Sequence, residues 1–129
     1  MPYEPSNLVN SILDSVKKAL GLVEYEFFDP DLIMHINSVF ADLNQIGVGP
    51  EKGFRIEDAT AQWSDFINDD VLLNNVKSYM VLRVKLLFDP PSNSFVLTSY
   101  EKQIHELTYR MYVLTDNRTH QDSSEEGES

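Results

Sequence analysis

The chain has 129 residues, carries 21 Asp or Glu against 10 Lys or Arg for a formal net charge of −11, and is 42% hydrophobic with no cysteine. This is the length of one domain with enough apolar content for its own core; the missing cysteine excludes a disulfide scaffold, cysteine-based zinc sites and a thiol nucleophile. The acidity argues against non-specific nucleic-acid binding, which needs clustered cations on phosphates, and no apolar run approaches the roughly 20 residues of a bilayer span. Met1-Pro2-Tyr3-Glu4-Pro5 lacks the basic and apolar regions of a secretory signal, so the composition reads as a soluble cytoplasmic domain.

The first predicted helix runs from Asn7 to Leu20, with Ser6 as N-cap and Gly21 as the residue that ends it. Leu8, Val9, Ile12, Leu13, Val16, Ala19 and Leu20 fall on one face. Asn10, Asp14, Lys17 and Lys18 fall on the other, the two lysines near the negative end of the helix dipole. The second helix is predicted over Pro30 to Ile46, with Asp29 as cap, Pro30 in the first turn and Gly47 as the stop.

Between Val48 and Asn68 the helical period breaks. Gly49-Pro50 and Lys52-Gly53 are turn signals. Phe54 and Ile56 alternate with Arg55 and Glu57, the pattern of a short strand or hairpin arm. Thr60 is a candidate cap for a short helix carrying Trp63, Phe66 and Ile67.

The third main helix is predicted over Val71 to Phe88, capped by Asp69 or Asp70. Leu72, Leu73, Val76, Tyr79, Met80, Val84 and Leu87 form one broad face, while Val81, Leu82, Leu86 and Phe88 lie outside it. A helix apolar nearly all round is buried on several sides, and these four surplus residues are candidates for contact with another chain. Lys77, Arg83 and Lys85 would be costly in a bilayer. Asp89-Pro90-Pro91 ends the helix, because a residue before proline leaves the α region.

A fourth helix is predicted from about Phe95 to Leu114, capped by Asn93 or Ser94, with an apolar stripe of Val96, Leu97, Tyr100, Ile104, Leu107, Met111 and Leu114. Glu106 and Arg110 are an i, i+4 pair. Tyr109 and Tyr112 project from its polar side and are interface candidates. From Thr115 to Ser129 five acids stand against the single base Arg118, and no Val, Ile, Leu, Phe, Tyr or Trp occurs. That segment reads as a disordered acidic tail, either simply solvated or an arm that orders against a partner.

The sum is an all-α fold: a small bundle of four main helices with a short irregular or β insertion between the second and third. The core domain spans residues 1–114 and the acidic tail 115–129.

Catalytic candidates are few. His35 follows Asp31 by four residues and His105 follows Glu101 by four, so each pair shares a helix face and could polarise an imidazole; both fall on polar faces, where a surface pair is the plainer reading. Neither HExxH spacing nor an acidic calcium loop is present, and no metal or cofactor is expected. Gly47-Val48-Gly49-Pro50-Glu51-Lys52-Gly53 follows a helix, not a strand, and so lacks the context of a phosphate loop. Trp63 with Phe66 and Ile67 is either a stacking platform or, more plainly, a core anchor. The want of chemistry points to a chain that binds other proteins.

One ordered set of motifs is more specific. Ile12-Leu13-Asp14-Ser15-Val16-Lys17-Lys18-Ala19-Leu20-Gly21 is followed by Phe28-Asp29, then Ile36-Asn37-Ser38-Val39-Phe40 and Leu43-Asn44-Gln45-Ile46-Gly47-Val48-Gly49-Pro50. Trp63-Ser64-Asp65-Phe66-Ile67, Val76-Lys77-Ser78-Tyr79, Leu87-Phe88-Asp89-Pro90-Pro91-Ser92 and Tyr100-Glu101-Lys102-Gln103-Ile104-His105-Glu106-Leu107 complete it. Over roughly residues 12 to 111 this resembles the head–tail connector (portal adaptor) proteins of tailed phages and prophages of Gram-positive bacteria. The resemblance implies a non-enzymatic virion protein at the head–tail junction, assembled in the host cytoplasm. It implies a ring of identical copies, typically twelvefold, beneath the portal protein. That ring extends the DNA channel and docks a downstream completion or tail protein; DNA passes without specific binding, and no membrane is involved. No catalytic residue is carried over. The alternative from the residues alone is a small non-viral adaptor or regulatory domain that binds one protein through Tyr109, Tyr112 and the exposed side of the third helix; a histidine-dependent metalloenzyme is the remaining rival.

Overall fold

A computed structural model describes residues 10–127, with side chains described over 10–116. Among these residues there are five helices: α1 (Ile12–Leu20), α2 (Asp29–Gln45), the single turn α3 (Trp63–Phe66), α4 (Asp70–Phe88) and α5 (Ser94–Gly127). No strand forms among them, so the all-α bundle with an irregular insertion is the observed architecture.

The first predicted helix is interrupted at Ser11, with Asn10 helical before it and α1 starting at Ile12 after it. Ser11 caps α1: its hydroxyl accepts from the Asp14 N–H at 3.3 Å and donates to the Ala59 carbonyl at 2.7 Å. The Ile12 N–H donates to the Ala61 carbonyl at 3.0 Å. The insertion thus takes a backbone donor that an uninterrupted helix would have used. Ser6, and the expected turns over residues 7–9, lie outside the described residues. At the other end Gly21 adopts φ 74°, and the Leu22 N–H reaches back to the Lys17 carbonyl at 2.8 Å.

Lys17 is not on a solvated face. It is buried, and its ammonium meets the Asp29 carboxylate at 2.8 Å. A long aliphatic stem can cross apolar surface to reach such a partner. Asp29 is therefore engaged by a cation instead of capping α2; the capping position is Phe28, with no side-chain bond, and Pro30 occupies the first turn as expected.

The insertion holds no strand because a side chain replaces strand pairing. The Asn37 amide on α2 accepts from the Ile56 N–H at 2.7 Å and donates to the Ile56 carbonyl at 2.9 Å. Both backbone groups of a buried residue are satisfied without a neighbouring strand. Thr60 turns back onto Asp58. Gln62 is the cap of α3, its N–H donating to the Asp65 carboxylate at 2.9 Å. The rings of Phe66, Phe54 and Trp63 surround Phe40 at centroid distances of 4.7, 5.1 and 6.2 Å. Trp63 is buried and donates its indole N–H to the Ser15 hydroxyl at 2.9 Å, so it is a core anchor and not a stacking platform.

Helix α4 is the centre of the fold and packs against α1, α2 and α5. Asp69 caps it, accepting from the Leu72 N–H at 2.9 Å. Leu72, Val76, Tyr79, Met80 and Val84 are buried, whereas Leu87, expected on the same face, is exposed near the end of the helix. Arg83 ties α4 to α2 through Asp42 at 2.6 Å and bonds the Tyr79 hydroxyl. Partial burial opposes the guanidinium charge, but these two partners outweigh it and raise its pKa.

Asn93 caps α5, accepting from the N–H groups of Phe95 and Val96 at 2.8 and 3.2 Å. Leu107 and Met111 are buried and Ile104 and Leu114 partly so. The helix does not stop at Leu114: its backbone continues to Gly127, where the sequence predicts a disordered tail. Extending a formed helix gains one hydrogen bond for each residue ordered and needs no apolar face. The lack of apolar residues therefore does not predict the end of the helix.

Candidate protein-interaction site

Helices α4 and α5 run antiparallel and leave a cleft of about 580 Å³ between them. Lys77, Ser78, Val81 and Leu82 line it from α4, and Gln103, Glu106, Leu107 and Arg110 from α5. The i, i+4 spacings Lys77–Val81, Ser78–Leu82 and Glu106–Arg110 place these residues on facing stripes of the two helices. The lining combines apolar side chains with charges of both signs. Such a surface can accept an apolar side chain of another protein and hydrogen-bond around it.

The six residues marked in the sequence do not converge on one site. Val81 and Leu82 meet in the cleft, both half-buried, and Leu82 also packs on the core. Leu86 is half-buried on α4 outside the cleft. Phe88 is engaged within the subunit, its ring 5.2 Å from Phe28 and 6.5 Å from His35. Tyr109 and Tyr112 are 65% and 58% exposed on α5. Lys77, Ser78, Gln103, Glu106 and Arg110 were not marked as site residues, because their facing across two helices depends on how the helices dock.

Neither histidine is hydrogen-bonded to its neighbouring carboxylate among the described residues. His35 is half-buried against Phe88, and His105 is exposed. The loop from Gly47 to Gly53 is a multi-turn connection with three glycines at positive φ. The Asn44 amide pins it, donating to the Pro50 and Glu51 carbonyls at 3.2 and 3.3 Å. Among the described residues no three His, Asp or Glu side chains gather as a metal site, and no helix is long and apolar enough to cross a membrane.

Binding surfaces on a helical scaffold set the question of what kind of assembly the chain enters. The family model described as Phage connector protein matches residues 12–118. The chain belongs to the phage connector family. The match begins at the first residue of α1, covers α1 to α4 and the whole cleft, and ends within α5. No curated protein and no solved structure matches the chain. A phage connector has a structural role in viral assembly, as a head–tail connector component of the virion that works by contact with other phage structural proteins.

Proposed function

We propose that the chain is a head–tail connector subunit that forms a ring, twelvefold on the portal, at the head–tail junction of the virion. The ring extends the DNA channel and provides the docking surface for a further completion or tail protein. It acts by assembly and not by catalysis. The single observation that carries this reading is the family match over residues 12–118, which takes in every helix of the core.

The residues available for contact between copies support it. Val81 and Leu82 stand in an unfilled cleft, Leu86 is half-exposed nearby, and Tyr109 and Tyr112 lie open on α5. Phe88 belongs to the proposed interface only through the part of its ring that Phe28 leaves open. A neighbouring copy that fills the cleft makes a heterologous contact, which closes into a ring when the rotation between copies is right. The net charge of −11 suits a conduit that passes DNA without gripping it. Residues 1–114 are the assembling core in this proposal, and residues 115–129 an acidic arm appended to it.

The test is co-expression with the portal protein of the same phage genome, followed by sedimentation velocity and electron microscopy of the complex. A ring of this chain stacked on the portal is the expected result. A chain that stays monomeric in the presence of assembled portal would refute the proposal.

A further inference from the structure

The α1–α2 loop is unusual for a connection. Between Gly21 and Pro30 it reads Leu22-Val23-Glu24-Tyr25-Glu26-Phe27-Phe28-Asp29, with apolar residues where loops are ordinarily polar. Phe28 turns inward, and its ring meets Phe88 at the end of α4 at 5.2 Å. That contact fixes the loop at the same end of the bundle as the α4–α5 turn. Phe27 and Tyr25 face outward, 83% and 54% exposed, beside Val23 at 42%. At this end Leu87 is 45% exposed and, at the start of α5, Phe95 is 85% and Val96 38% exposed.

These side chains are displayed on a held scaffold. The Phe27 ring meets Phe28 edge-on at 5.4 Å and Tyr25 lies 6.3 Å from it. The Tyr25 N–H donates to the Leu22 carbonyl at 3.0 Å and the Asp29 N–H to the Glu26 carbonyl at 3.1 Å. Nothing in the fold accounts for Phe95, since Asn93 already caps α5. Scattered exposed apolar residues need no explanation, but a grouping at one pole marks an interaction surface.

The charges around the pole choose the partner. Glu24, Glu26 and Asp31 are exposed there, while Asp89, also exposed, is paired with Lys85. Lys85 is held by Asp89 at 2.8 Å and Lys17 by Asp29 at 2.8 Å, which leaves Lys18, exposed in the last turn of α1, as the cation outside an ion pair at this end among the described residues. A second copy presenting the same pole would oppose acids with acids, and like charges across an interface are unfavourable. We propose that this pole docks a different virion protein, one whose contacting face has an apolar centre flanked by lysine or arginine. The proposal rests on the connector reading and adds to it the surface used and the chemistry of the partner.

The experiment titrates the purified full chain separately with the portal protein and with the head-completion protein of the same genome, at low and at high salt. Binding to one of them is expected. Phe27→Ala and Phe95→Ala should each weaken it about tenfold while leaving the circular dichroism melt unchanged, since both rings are almost fully exposed. Glu24→Lys with Glu26→Lys should weaken it and flatten its salt dependence. If the Phe27→Ala, Phe95→Ala double variant still binds within twofold of the parent, the pole is not the docking surface and the connector reading stands. If the isolated chain self-associates and Phe27→Ala abolishes this, a second copy occupies the pole and the proposal is wrong. Failure of the parent chain to bind either protein would sink the connector reading and this inference with it.

Discussion

Two adjacent residues of α4 separate folding from assembly. Met80 is fully buried, whereas Val81 is half-buried in the α4–α5 cleft. Met80→Glu places a carboxylate in the core with no partner, at a cost of several kcal/mol, and removes a buried side chain worth about 1.5–3 kcal/mol. The total, roughly 5–8 kcal/mol, compares with a net stability of about 5–15 kcal/mol for a domain of this kind. The thermal midpoint should fall by roughly 20 °C or more, or cooperative folding should be lost. Val81→Glu leaves its carboxylate wet, with Lys77 one turn earlier and Arg110 across the cleft, so the midpoint should move by no more than about 4 °C. Assembly should respond in the opposite order. A neighbour's apolar side chain in the cleft would desolvate the new charge, and a penalty of about 3 kcal/mol corresponds to roughly a hundredfold loss of association. Circular dichroism melts read the first effect, and sedimentation with the portal protein reads the second. A Val81→Glu chain that folds and joins the portal ring normally would show that the cleft is not a subunit contact; one that fails to fold would make Val81 part of the core.

Three further outcomes are expected. Gly49→Ala should destabilise the fold by about 2–4 kcal/mol, because Gly49 sits at φ 94° and an added Cβ would run into the Phe66 ring. Gly47→Ala, at φ 83° with open space around it, should lose only about 1–2 kcal/mol, and equal losses in denaturant titration would refute the steric part of the explanation. His35→Ala and His105→Ala should leave the yield of infectious particles intact, since neither imidazole bonds a carboxylate; a block with the protein still folded would reopen a chemical role. Mobility-shift assays should detect no duplex binding at physiological salt, given a net charge of −11; salt-sensitive micromolar binding would count against the passive conduit.

The helices were legible because each carries its own punctuation. Gly21 closes α1, Pro30 opens α2, Asp69 and Asn93 cap α4 and α5, and Asp89-Pro90-Pro91 separates them. What escaped the sequence lies in contacts between distant segments. Ser11 caps α1 because Ala59 and Ala61 come to meet it. Lys17 is buried because Asp29 waits at the start of α2. Phe54 and Ile56 alternate like a strand, yet the strand's hydrogen bonds go to Asn37, nineteen residues earlier than Ile56. Periodicity reports which face of a segment is apolar; it does not report which polar partner the rest of the chain supplies.

The same limit applies to the cleft and changes the case for assembly. The surplus of apolar residues around α4 suggests burial against other subunits, but α4 lies between α1, α2 and α5, and two of the four surplus residues are covered within one chain. Leu82 and Phe88 pack on the core, so an apolar circumference alone is no evidence of a ring. What remains after intramolecular packing is more telling: a cleft that α5 borders but does not fill, and two exposed tyrosines on α5. The proposed ring needs both a surface that repeats from copy to copy and a surface that differs from it to receive the next protein. The cleft and the tyrosines lie along the side of the bundle, where neighbours in the proposed ring would meet. The aromatic pole lies at its end, where a stacked partner would meet the proposed ring. The two functions can therefore be separated by mutation, Val81 for the first and Phe27 for the second. A chain carrying Phe27→Ala should lose its partner at the pole in the one-to-one titration while a Val81→Glu chain keeps it, and loss in both would show that side and end are not independent.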